Sequence, residues 1–101
     1  MSDAQFFVYK LISPRPTFPM DMTDAERAAM GAHGAYWREL LDARRAVVYG
    51  PVMDPAGVWG LAVVEARSAD EVRAIGGADP AVTSGVASFD VFPMMNATVR
   101  A

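Results

Sequence analysis

Residues 46–71 read AVVYGPVMDPAGVWGLAVVEARSADE, and their reading decides the fold. Ala46–Met53 and Val58–Ala66 are rich in β-branched and aromatic side chains, which favour strands. Between them, Asp54-Pro55-Ala56-Gly57 has turn composition, so 46–66 reads as a hairpin, with Gly50-Pro51 bending or ending its first strand. Ser68-Ala69-Asp70-Glu71 has the form of a capping box. It opens a short helix to about Ile75, which Gly76-Gly77 stops.

Upstream, Gln5–Ile12 is another strand pattern, followed by Ser13–Met20, where three prolines forbid regular structure. Thr23-Asp24-Ala25-Glu26 is a second capping box, and the helix it opens runs to about Ala43. Met30, Trp37, Leu40 and Leu41 fall on one face of that helix, and His33 falls with them. Downstream, Asp79-Pro80 suits a brief helical turn, with Asp79 as cap and Pro80 at the first position. Gly85 ends that turn, and Ser88–Met94 is the last strand.

The order β-α-β-β-α-β predicts an α+β fold of ferredoxin-like type: a four-stranded antiparallel sheet with both helices on one face. The other face is then anomalous. Phe6, Val8 and Ile12 point away from Phe7, Tyr9 and Leu11, and Trp59, Leu61 and Val63 away from Gly60, Ala62 and Val64. Both faces are apolar, where a sheet covered on one side alternates apolar with polar. A second copy covering the open face, in a homodimer, is the economical solution.

The 101 residues suit one domain, 1–101, and an apolar fraction of 52% excludes disorder. The net charge is −3 and the basic residues are scattered, so no nucleic-acid partner is expected. No cysteine is present, which excludes disulfides and thiolate chemistry and fits a cytoplasmic setting. Met1-Ser2-Asp3-Ala4-Gln5 carries no leader pattern and no run approaches membrane-span length, so neither a signal peptide nor a membrane association is expected.

Few residues carry chemistry. His33 is the single histidine, on an apolar helix face. It is either a structural imidazole bonded to a carbonyl or a general acid/base. Gly31 and Gly34 flank it, each disfavoured in a helix by about 1 kcal/mol relative to Ala. Close packing of helix on sheet is the favoured reason; open space for a ligand is the other. Asp79 is a helix cap whose second oxygen is free to orient an imidazole and stabilise its protonated form. Arg15, in the proline loop, is either a surface arginine or a bidentate grip on an anionic substrate group. Tyr36 can reach a pocket edge, and Phe18 joins Arg15 and Tyr36 as a candidate substrate contact. Trp37 reads as core, and the methionines as gap-filling side chains. There is no phosphate loop, no serine elbow and no metal-ligand spacing, so no cofactor and no metal are expected.

Taken together, His33 with Tyr36 and Leu40-Leu41 behind it, Gly50-Pro51, Gly60, Ser68–Glu71, and Asp79-Pro80 followed by Gly85 resemble the YCII-related family of the dimeric α+β barrel group. The resemblance spans about residues 5–94. It implies a ferredoxin-like fold, two sheets face to face in a dimer, and an active site on a His–Asp pair matching His33 and Asp79. One branch of that family acts as a cofactor-free dehydrochlorinase on a chlorinated hydroxyhydroquinone. The chain departs from the family pattern at Gly34, at Arg44-Arg45 where a glycine often precedes strand two, and in the length of the Pro14–Pro19 loop. The expectation is a cofactor-independent lyase or isomerase acting on a small cyclic or aromatic polar substrate. Its rival is a non-catalytic dimeric module that binds a small molecule.

Overall fold

Thr23 begins the longest element in the protein, and it does so with both halves of the expected capping box. Its hydroxyl accepts from the Glu26 N–H, and the Glu26 carboxylate accepts from the Thr23 N–H. The structure is a computed structural model that describes residues 4–100. Residues 1–3, where no leader is expected, lie outside the described residues. The elements are β1 (Gln5–Ile12), α1 (Phe18–Asp21), α2 (Asp24–Asp42), β2 (Ala46–Val52), β3 (Trp59–Ala66), α3 (Ala69–Gly77), α4 (Pro80–Thr83) and β4 (Ser88–Pro93). The strands pair antiparallel in the order β2-β3-β1-β4, the ferredoxin-like arrangement, and the sheet does not close into a barrel.

Strand alternation sorts the side chains between two environments. Register aligns Tyr49, Ala62, Tyr9 and Val91 in one row across the sheet. That row lies under the helices, with Phe7, Leu11, Trp37, Val64, Val72 and Ile75 in the same core. The next row is Val48, Val63, Val8 and Phe92. It faces away from the helices, and Val48 and Phe92 are exposed.

Four details correct the sequence reading. The proline-rich loop contains one helical turn, α1, because Pro19 occupies an early helical position where its missing N–H is not needed. Gly50 and Pro51 neither bend nor end β2, which pairs through both of them. Proline is tolerated there because β2 is an edge strand. Ser68 caps α3 through the Glu71 N–H, but Glu71 does not reciprocate, since Arg45 takes its carboxylate at 3.2 Å. Gly76-Gly77 does not stop α3 at Ile75. The helix runs through both, and a Cβ on Gly76 would lie 2.6 Å from Phe89 and 2.7 Å from Tyr9. Gly76 therefore lets α3 approach the sheet.

Helix α2 ends in a Schellman motif. Arg45 N–H donates to Leu40 C=O and Arg44 N–H to Leu41 C=O. Arg44 stands at φ 63°, the left-handed position that favours glycine.

Candidate active site

Asp79 is completely buried, at 0% exposure, yet carries a carboxylate. Four donors compensate it. Oδ1 accepts from the Ala81 N–H at 2.9 Å, the capping bond of α4. Oδ2 accepts from the Tyr9 hydroxyl at 3.0 Å and from Trp37 Nε1 at 2.8 Å. His33 Nδ1 lies 2.9 Å from both oxygens. His33 and Trp37 are four residues apart on α2, so both rings project from one helix face toward one carboxylate. Tyr9 reaches it from the helix-covered face of β1.

Burial works against the charge on Asp79. The hydrogen bonds from His33, Trp37 and Ala81, with the charge of the imidazole, outweigh it and hold the carboxyl below its ordinary value. The same arrangement pushes the Tyr9 hydroxyl well above the ordinary phenol range, first by burial and then by the adjacent Asp79 charge. Tyr9 is therefore a fixed donor at neutral pH.

An ionised carboxylate only accepts, so His33 Nδ1 must carry the proton it shares with Asp79. In the neutral ring Nε2 is then the unprotonated nitrogen. Among the described residues Nε2 has no partner, and no buried side-chain nitrogen or oxygen is unpartnered. Nε2 is accordingly accessible, and His33 lines a cavity of about 310 Å³ between α1, α2 and the sheet. Phe18, Met22, Met30, Tyr49 and Trp59 supply much of its wall. Gly34 also lines it, and an added Cβ on Gly31 or Gly34 would meet nothing within 4 Å. The close-packing reason fails for both, and of the two Gly34 borders the cavity while Gly31 is exposed to solvent.

The other expected contacts divide. Phe18 lines the cavity. Tyr36 does not; its hydroxyl donates to the Ile75 carbonyl at 2.7 Å and ties α2 to α3. Arg15 is also absent from the lining. Its guanidinium is held by Asp21 at 2.8 Å and by both Glu26 oxygens at 2.8 and 2.9 Å, an internal brace between the loop and α2. The residues missed in the sequence are Tyr9 and Trp37 as donors to Asp79. The four-residue step from His33 to Trp37 was the available signal. Among the described residues, no cluster of histidine and carboxylate side chains is suited to a metal ion. No helix among them is long and apolar enough to cross a membrane.

Among solved structures, the fold is similar to that of 5-chloro-2-hydroxyhydroquinone dehydrochlorinase from Burkholderia phenoliruptrix in complex with 2,5-dihydroxybenzoquinone. The TM-score is 0.67 at 19% sequence identity, over 91% of this chain and 95% of that one. No curated protein matches the chain. The model of the YCII-related domain matches residues 7–95, and the protein belongs to that family.

Proposed function

We propose that the protein is a cofactor-independent acid/base enzyme that moves a proton on a small cyclic substrate, in an elimination or an isomerisation. The observation that carries this is the Nδ1 bond to buried Asp79, which leaves Nε2 unprotonated beside an apolar cavity. Nε2 takes a proton from a substrate carbon or hydroxyl. In an elimination, the neighbouring atom then loses its leaving group with the bonding pair. In an isomerisation, Nε2 returns the proton to another carbon. Asp79 balances the imidazolium that forms between the two halves of the reaction. The dehydrochlorinase named above supports the elimination reading.

The functional unit in this proposal is a homodimer formed through the open sheet face, where Val48, Val63, Val8 and Phe92 make an apolar row.

The test is turnover of ring compounds able to lose HX or shift a double bond, with 5-chloro-2-hydroxyhydroquinone among them. Wild type should convert a member of the set, and His33→Gln should not. The melting temperature should change little, because Tyr9, Trp37 and Ala81 still satisfy Asp79. Equal turnover by His33→Gln rejects the proposal.

A further inference from the structure

We infer that the cavity selects uncharged ring compounds and rejects those bearing a carboxylate or phosphate. This rests on the reading above that the cavity beside His33 is the substrate site. No lysine, arginine, aspartate or glutamate lines the cavity among the described residues. Its ionisable side chains are His33, Tyr9 and Tyr49.

Two cations, Arg15 and Lys10, sit against the rings of lining residues Phe18 and Trp59 without entering the lining themselves. Arg15 is held by Asp21 and Glu26. Lys10 points from the opposite face of β1 to Tyr9 and Leu11, and its ammonium stacks on the Trp59 ring at 4.9 Å.

The electrostatics follow from Asp79. With His33 neutral, the His33–Asp79 pair carries the full negative charge of the buried carboxylate. With His33 protonated, the pair sums to zero. An anion entering the cavity therefore meets either a like charge or a cation already balanced. It gives up its hydration without a counter-charge, which is far more costly than burying an uncharged polar group. A neutral ring meets none of this.

Size points the same way. An apolar cavity of about 150 Å³ holds a benzene-sized ring, and this one, at about 310 Å³, has room for ring substituents as well. Nε2 and the Tyr49 hydroxyl, for which no partner is found among the described residues, supply the polar contacts. The substrate class is thus a neutral mono- or bicyclic compound whose hydroxyl or acidic C–H meets Nε2.

The test uses two probes of one shape and different charge, 4-hydroxybenzamide and 4-hydroxybenzoate. Each is titrated into the intact protein at neutral pH while the His33 ring protons are followed by NMR. The amide should bind at least about ten-fold more tightly than the carboxylate. Gly34→Leu, which drives a side chain into the cavity, should abolish the amide's effect on His33. Equal or tighter binding of the carboxylate overturns the inference. So does a His33 signal that neither probe moves, or an amide affinity untouched by Gly34→Leu. The readout is binding without turnover, so a proton-transfer proposal that failed on His33→Gln would leave this result standing or falling by itself.

Discussion

His33 and Asp79, 46 residues apart in the chain, share one proton across 2.9 Å. The histidine comes from the middle of α2 and the aspartate from the cap of α4, so the contact exists only when α2 and α4 dock. Tyr9 and Trp37 point to the same carboxylate and hold it in place. The site is thus a buried anion with four donors, three of which, from His33, Tyr9 and Trp37, belong to side chains that also line the cavity.

Asp79→Asn should destabilise the protein by roughly 2–4 kcal/mol at neutral pH, because an amide cannot accept from all four donors. The pH dependence has a definite sign. The Asp79 carboxyl lies below its ordinary value in the folded chain. Its contribution is therefore complete above the unfolded value of about 3.9 and is lost as pH falls through the folded value. Glu26, held down to about 2 chiefly by Arg15, adds a loss of the same sign. Urea unfolding of both proteins isolates Asp79: the gap between wild type and Asp79→Asn should narrow below about pH 4.

Two glycine-to-alanine changes should have opposite signs. Gly34→Ala meets no atom within 4 Å and removes a helix-interior glycine, so it should stabilise by up to about 1 kcal/mol. Gly76→Ala drives a Cβ to 2.6 Å from Phe89 and should destabilise by roughly 1–3 kcal/mol. Thermal unfolding of the pair decides; a stabilising Gly76→Ala would contradict the packing described for α3, and a destabilising Gly34→Ala the open space beside α2.

Arg44→Gly should stabilise by about 1 kcal/mol, since Arg44 holds the left-handed position of the Schellman motif at φ 63°. Chemical denaturation measures it, and a loss of stability would mean that the Arg44 side chain contributes more than its backbone strain takes away.

Val8→Glu places a charge in the centre of the exposed apolar row while leaving the helix-covered core intact. If that face joins two copies, light scattering should give a dimer for wild type and a monomer for the variant. A wild-type monomer at micromolar concentration would reject the dimer.

The fold was legible because its signals are local. Alternation, the Thr23 box and the Asp79-Pro80 cap each act within a few residues, and each is present as read. The site was legible only in part. His33 and Asp79 are visible as residue types, and a cap with a free oxygen suggests a partner for the imidazole, but their meeting depends on helix docking and is matched to a pair only through the family resemblance. Trp37 reads as core because a buried donor and a buried hydrophobe have the same pattern, and Tyr9 reads only as one residue of an apolar strand face. Arg15 reads as either a surface arginine or a grip on an anion because nothing in its neighbourhood signals that Asp21 and Glu26 fold back onto it. Gly34 and Gly76 are the same residue with contrary roles, one beside empty space and one against two rings. That difference exists only in three dimensions.

The central claim is that Asp79 fixes the His33 tautomer and leaves Nε2 as the free base. Long-range ¹H–¹⁵N NMR of the neutral ring tests it directly, with one histidine per chain and no assignment problem. Wild type should show a protonated Nδ1 and an imine-type Nε2, and Asp79→Asn should lose that preference. A wild-type spectrum with the proton on Nε2 and Nδ1 bare would contradict it, because the nitrogen facing the cavity would then have no lone pair to accept a proton.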